Sequence, residues 1–443
     1  MEFTAIRAAL DLNPMEWSLL QGFFGFGHEP YERLSHLCQM EPEQVEKALP
    51  GLVSRGIVRA GDDGSGGDSS DISGKWYGLA PLDEWLTAAE GGDPDLLNME
   101  KAMLVRVRRD RDLKGVTICA SRDVRDRAGL DPDVLAYTSE LMPYVDLRLG
   151  SKCNLNCVYC LLGHENRYYR RLEEIVDDLS LARRQNIERV SLTGGEPTIH
   201  PDILRVVTAA RAMGFRKIIL VTNGLTLSYP GVLKRIVDAG VTAVGVSFDT
   251  PDRETAEELW KAPVFDRVLK AFEALADFPD LTLGTISVLT TKNIGQVEDL
   301  ARFFLELAKT RSGPFVPNLD FIMPEENAWL YRKELVPRLL DVVEPVRRAL
   351  KIAHDGSLPL TFRGIPPCLL PGMERYSFDR YMQILRLVRD AREGPVDNVS
   401  IEMLRSKAPA CRACRLRKEC TGVSRSYANL YGTDELHPIE VKP

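Results

Sequence analysis

The stretch Tyr144-Val-Asp-Leu-Arg-Leu-Gly-Ser-Lys-Cys153-Asn-Leu-Asn-Cys157-Val-Tyr-Cys160 joins a strand-like run to three cysteines in a C-x3-C-x2-C array. Three closely spaced thiolates can hold three corners of a four-iron cluster and leave the fourth iron open to a ligand. Downstream, strand candidates recur at Arg189–Leu192, Lys217–Val221, Ala243–Phe248, Leu283–Leu289 and Leu319–Met323. Helical stretches at Arg171–Arg184, Asp202–Ala212, Gly231–Ala239, Phe265–Ala274 and Gln296–Leu307 alternate with them. Six strand–helix units predict an α/β fold, a partial barrel of six parallel strands with helices outside and chemistry at the carboxyl ends of the strands.

Those strand ends carry the polar groups. Thr193-Gly-Gly-Glu-Pro197 follows the second strand and sets two glycines where a side chain would block a close-approaching ligand. Glu196 adds a carboxylate able to accept from an ammonium. Thr222-Asn-Gly224 closes the third strand and Ser247-Phe-Asp249 the fourth. Three cysteines alone are also compatible with structural zinc. His164 would close the vacant coordination position if it joined them, so it is read as a loop residue at the rim, and His200 as a helix cap or lining residue.

In this order the motifs resemble the radical S-adenosylmethionine (radical SAM) enzymes over about residues 144–325. The resemblance implies a [4Fe-4S] cluster on Cys153, Cys157 and Cys160, with S-adenosyl-L-methionine on the open iron. It implies that Gly194, Gly195 and Glu196 meet the cofactor's amino group. Tyr159 would lie by the adenine and Ser247 by the ribose or methionyl end, with Asn223 in the same pocket. Such enzymes cleave the sulfonium reductively to a 5'-deoxyadenosyl radical, which takes hydrogen from a substrate in a water-excluding mouth. They draw electrons from a donor such as flavodoxin or ferredoxin.

A second group, Cys411-Arg-Ala-Cys414-Arg-Leu-Arg-Lys-Glu-Cys420, stands near the end of the chain, with Cys368 in Gly364-Ile-Pro-Pro-Cys368 as a fourth ligand. Four thiolates can fully coordinate an auxiliary [4Fe-4S] cluster or zinc. Arg412, Arg415, Arg417 and Lys418 would offset a cluster's negative charge or form a solvated face. The run resembles the SPASM and shorter twitch extensions of radical enzymes, whose pattern has a further cysteine where this chain has Ser424. That departure argues for one auxiliary cluster.

Residues 1–87 read as three helices and a hairpin, resembling a winged helix-turn-helix. Its third helix, opened by Pro42 and crossed by Pro50, begins with Glu41, Glu43 and Glu46 against one lysine, which disfavours nucleic acid. Docking of a precursor peptide along the wing, or a cap on the larger domain, are the remaining readings. Residues 88–142 form a connector with short strands at 103–107 and 115–119, residues 143–330 the barrel, and 331–443 the auxiliary-cluster domain.

The chain has 57 Lys and Arg against 64 Asp and Glu, a net charge of -7 that discourages bulk nucleic-acid binding. Neither a signal peptide nor an apolar run of about 18 residues is legible, so no membrane association is expected. Nine cysteines, six in two tight groups, point to metal sites in a reducing cytoplasm rather than to disulfides. The reaction is expected to be either peptide maturation by crosslinking or oxidation, or dehydrogenation, dehydration or epimerisation of a small molecule. Asp249, Asn293, Asp320, Glu325, Glu326 and Asn327 lie at or beyond strand ends, where they hold substrate groups or cap helices. Cys119 and Tyr427 are candidates to quench a radical, or simply packed; Asp249, Asp320 and Tyr427 are the catalytic candidates.

Overall fold

A computed structural model describes residues 12–23, 29–61, 76–79, 116–119, 144–163, 167–184, 187–379, 405–417 and 420–439. The strand expected at 103–107, His164 and Lys418 lie outside these residues. Contacts divide the chain into two units, one of residues 1–114, 397–406 and 423–433 and one of 115–396, 407–422 and 434–443.

The first unit contains α1 (Pro14–Phe23), β1 (Glu29–Pro30), α2 (Tyr31–Cys38), α3 (Pro42–Ser54), β2 (Val58–Gly61) and β3 (Trp76–Leu79). The strands pair antiparallel in the order β1-β3-β2. Pro42 opens α3 where its missing N–H costs nothing, and the Gln44 side chain returns to the Glu41 amide at 2.9 Å. Pro50 removes one main-chain hydrogen bond, yet α3 runs on to Ser54. Val45, Ala48, Leu49 and Leu52 carry it, one helical face buried against Leu19, Leu20 and Leu34.

The second unit is built on one curled sheet. β4 (Val116–Cys119) runs antiparallel to β5 (Tyr144–Arg148) at one edge. From β5 onward the sheet is parallel, through β6 (Arg189–Thr193), β7 (Lys217–Thr222), β8 (Ala243–Ser247), β9 (Thr282–Leu289), β10 (Phe315–Phe321) and β11 (Thr361–Arg363). The expected partial barrel is therefore present with seven parallel strands rather than six. The extra strand, β11, is three residues long and carries too little pattern to be read alone. β10 begins at Phe315, four residues before the expected strand, because Pro314 and Pro317 imitate a loop. The Pro317 carbonyl faces the Thr361 hydroxyl on β11, so its nitrogen edge also faces that side. The ladder to β11 starts only at Asn318, and the missing donor breaks no rung.

Register separates the two faces of the sheet. Leu147, Leu192, Leu220, Val244 and Leu283 align across β5 to β9 and are all buried, the face packed by helices. The opposite face aligns Asp146 with Ser191, Arg148 with Thr193, Val221 with Gly245, Ser247 with Ile286, and Val288 with Asp320 and Arg363. Asp146, Val221, Ser247, Ile286, Val288 and Asn318 on it are only half-buried, as side chains lining an open lumen should be. The outermost parallel strands interact across that lumen. Arg363 on β11 bonds Asp320 and also acts electrostatically on Asp146 of β5, whose carboxyl burial nevertheless holds above its usual range.

Behind the strand ends, Phe248 is fully buried among Phe303 at 4.8 Å, Phe272 at 5.4 Å and Phe265 at 6.0 Å. It stands between Ser247 and Asp249, so this aromatic cluster fixes the end of β8. Phe248→Ala is expected to destabilise the second unit by about 3–5 kcal/mol, through lost burial and the cavity left. Chemical denaturation followed by tryptophan fluorescence measures it; a loss under about 1 kcal/mol would place the support of β8 elsewhere.

Candidate cluster and cofactor site

The cysteine loop leaves the end of β5 and meets the turn after β6 main chain to main chain. Gly195 N donates to Gly150 O at 3.0 Å and Glu196 N to Lys152 O at 2.8 Å. A Cβ on Gly195 would stand 2.1 Å from Lys152 O, and one on Gly194 would stand 2.4 Å from Gly150 O at a φ of +127°. The two glycines are thus required by the chain itself, a reason separate from the ligand approach read in the sequence. Glu196 is buried and its carboxylate is heavily engaged. One oxygen accepts from the Thr198 amide at 3.0 Å, the Thr198 hydroxyl and the Thr222 hydroxyl at 2.7 Å; the other accepts from Asn223 N at 2.7 Å. Burial pushes its pKa up, and these donors oppose the shift. Glu196 therefore ties the end of β6 to the end of β7, whatever else it binds.

The loop is gripped by five further contacts. Val158 N donates to Leu259 O at 3.0 Å, from the helix Arg253–Trp260. Asn327 donates from its side chain to Cys157 O and from its main chain to Cys160 O, both at 3.3 Å. Arg167 sends its two terminal nitrogens to Cys153 O and Leu155 O, each at 3.1 Å. Asn223 donates to Asn154 at 2.8 Å and lies 3.8 Å from the Cys153 sulfur. The last hold is Tyr159, whose hydroxyl donates to Asp249. Asp249 is 1 % exposed and also accepts from Trp260 Nε1 at 2.7 Å and Val288 N at 2.8 Å. Burial raises its pKa to about 6 against those three donors.

Several candidates read as substrate-facing thus turn inward. Asp249 and Asn327 hold the cluster loop. Asn293 staples Asp249 O and Val288 O at 3.0 and 2.9 Å. His200 is buried between Arg170 O and the Asp202 amide, the capping role expected of it. Asp320 pairs with Arg363 and Asn318, and burial raises its pKa. Tyr427 is buried in the first unit beside Tyr431, ring centres 5.1 Å apart. Ser247 remains half-buried on the lumen face. Arg167 carried no signal in the sequence, being one arginine in a loop rich in them.

All eight described cysteines are free thiols. Burial is the main force raising the pKa of Cys153, Cys157 and Cys160, and the first two also feel the neighbouring thiols. Among the described residues no three Cys, His, Asp or Glu side chains converge closely enough for a single ion. As a donor set the first loop fits a cluster: three thiols, a main chain held on every side, and an N–H from Leu155 at 3.4 Å to the Cys153 sulfur. The second group fits as well. Cys368, Cys411, Cys414 and Cys420 line one pocket of about 370 Å³, part of it open to solvent. Burial pushes the Cys420 thiol up to about 11. Arg417 lines that pocket with Lys407, which the sequence reading passed over, whereas Arg415 turns to Glu374 at 3.4 Å. Ser424, in the place of a further cysteine, caps the helix Arg425–Tyr431 by accepting from Tyr427 N at 3.1 Å.

Comparison with known proteins agrees over the barrel: residues 147–304 match the Radical SAM superfamily. This stretch is a radical SAM domain. The chain is 32 % identical over 177 residues to the molybdenum cofactor biosynthesis protein moc-5 of Caenorhabditis elegans, covering 38 % of this chain and 28 % of that one. It is 32 % identical over 169 residues to the GTP 3',8-cyclase of Chlorobaculum tepidum, covering 38 % and 50 %. The chain thus spans half or less of the length of these curated relatives. Among solved structures, Streptococcus suis SuiB bound to precursor peptide SuiA aligns with a TM-score of 0.48 at 16 % identity, over 80 % of this chain and 90 % of that one. No helix among the described residues is long and apolar enough to cross a membrane.

Two substitutions test this geometry. Gly195→Ala is expected to displace the cysteine loop and halve the iron bound after anaerobic reconstitution, measured by iron assay; full iron content would refute the close approach. Glu196→Gln sets an amide nitrogen against donors and is expected to cost about 1–3 kcal/mol of stability besides weakening cofactor binding. Thermal unfolding without cofactor checks it, and an unchanged midpoint would show that Glu196 serves the ligand alone.

Proposed function

We propose that the chain is a radical SAM enzyme that acts on a ribosomally made precursor peptide. The observation that carries the chemistry is the Cys153, Cys157, Cys160 loop held against the Gly194-Gly195-Glu196 turn at the mouth of a half-barrel. A reduced [4Fe-4S] cluster bound there would supply the electron for reductive cleavage of S-adenosylmethionine, and the cleaved cofactor would supply the hydrogen-abstracting chemistry. Cys153, Cys157 and Cys160 would hold that cluster. Gly194 and Gly195 leave room beside it, and Glu196 offers its less engaged oxygen to the cofactor's ammonium. Tyr159, Asn223 and Ser247 complete the pocket, and the half-buried lumen residues from Asp146 to Asn318 receive the substrate.

Cys368, Cys411, Cys414 and Cys420 would hold a second cluster in a twitch-like extension, with Lys407 and Arg417 balancing its charge. A flavodoxin or ferredoxin in a reducing cytoplasm would serve as electron donor. Three helices and an antiparallel three-stranded sheet in the first unit support the peptide reading, because an extended leader can add a strand to the sheet's edge. A second reading has one observation in its favour: the curated relatives include GTP 3',8-cyclases, which favours a small-molecule substrate.

Anaerobic reconstitution is expected to give about eight irons per chain, and Cys411→Ala with Cys414→Ala to remove about four. Four irons in the unmodified protein would end the two-cluster account. Turnover with a reductant should release 5'-deoxyadenosine. Mass spectrometry should then show a mass change in a short peptide encoded beside the gene and none in GTP; the reverse would establish the small-molecule reading.

A further inference from the structure

The network around Tyr159 leads beyond cofactor placement. Its hydroxyl has one proton and two acceptors within reach, the Asp249 carboxylate and the Cys157 sulfur. Asp249 is not free to move toward or away from it. One carboxylate oxygen takes the Trp260 indole N–H at 2.7 Å, the other takes Val288 N at 2.8 Å, and Asn293 holds the Asp249 carbonyl at 3.0 Å. Asp249, Trp260 and Asn293 are buried, and Tyr159 and Cys157 are half-buried beside them. A carboxylate is a stronger acceptor than a neutral amide, and a thiolate sulfur that gains a hydrogen bond stabilises the reduced form of an iron–sulfur centre.

We propose that Asp249 is a positioning residue that holds the Tyr159 hydroxyl away from the Cys157 sulfur and thereby keeps the reduction potential of the first cluster low. The inference rests on the radical SAM reading of that loop. It assigns Asp249 no contact with substrate and no proton transfer. A low potential suits the task, since the cluster must be a strong reductant toward a sulfonium. The phenol remains available to brace the loop, and the bond that braces it is the bond that withholds it from the sulfur.

Asp249→Asn keeps the shape of the side chain, removes the charge and weakens the acceptor. Tyr159→Phe removes the shared proton. The readout is the midpoint potential of the signal that changes when S-adenosylmethionine is added, followed by electron paramagnetic resonance during a redox titration of the reconstituted full chain, with iron content measured in parallel. Asp249→Asn should shift the midpoint to a more positive potential, Tyr159→Phe should leave it within error, and the shift from Asp249→Asn should be smaller in the Tyr159→Phe background. A negative shift in Tyr159→Phe would show that the hydroxyl already serves Cys157 and would overturn the proposal. An Asp249→Asn shift of equal size in both backgrounds would overturn it as well, reducing the effect to charge alone. If Asp249→Asn loses iron, Tyr159→Phe still decides. A wild-type protein with no cofactor-sensitive signal would instead refute the reading on which the inference stands.

Discussion

Two main-chain hydrogen bonds, Gly195 N to Gly150 O and Glu196 N to Lys152 O, bring the cysteine loop against the neighbouring strand end. Everything at the mouth of the barrel depends on that approach. With a Cβ on Gly195 the segments would collide at 2.1 Å, and the loop carrying the thiols would have to leave the sheet. The Gly-Gly-Glu turn is therefore a joint as well as a cradle. Its first glycine takes a left-handed φ, its second admits a carbonyl, and its carboxylate bolts the next strand end.

The parts of this arrangement legible in the sequence share a property: their signal is local. Strand–helix alternation, the two cysteine spacings, the glycine pair and Pro42 at the start of α3 each sit within a few residues of chain. What escaped reading depends on contacts between distant segments. Three-residue β11 is a strand because Asn318, Leu319 and Asp320 pair with it. Arg167 matters because its guanidinium reaches two carbonyls of the cluster loop, and nothing in its neighbours announces that. Cys368 reads as the fourth member of the last cysteine group, and the structure sets it in one pocket with the distant Cys411, Cys414 and Cys420.

The first unit shows the same dependence on distance. Its helices are readable from periodicity, but its boundary is not. β12 (Arg405–Ser406), β13 (Val423–Ser424) and α4 (Arg425–Tyr431) belong to it although they flank the last cysteine group. Asn429 makes the join. Its side chain accepts from Ser18 at 2.7 Å and donates to Gln39 O at 2.8 Å, and its carbonyl accepts from Gln44 at 3.0 Å. Three bonds from one asparagine tie the helix after the cysteines to Ser18, Gln39 and Gln44.

The polar residues at the strand ends sort by what they already hold. Glu196, Asp249 and Asp320 are the carboxylates most tempting as acids or bases, and burial raises the pKa of all three. Each is nonetheless engaged by two or more donors, and removing Glu196 or Asp249 would leave donors unsatisfied in a buried place, at about 1–3 kcal/mol apiece. A group with that many obligations serves first to hold the site. The lumen residues with obligations to spare are the half-buried ones that register places on the inner face, Asp146 and Ser247 among them. Burial holds the Asp146 carboxyl above its usual range, and Ser191 gives it a side-chain hydrogen bond. Substrate recognition in this barrel should be sought there, on the face the pleat leaves open, rather than among the carboxylates the fold has already committed.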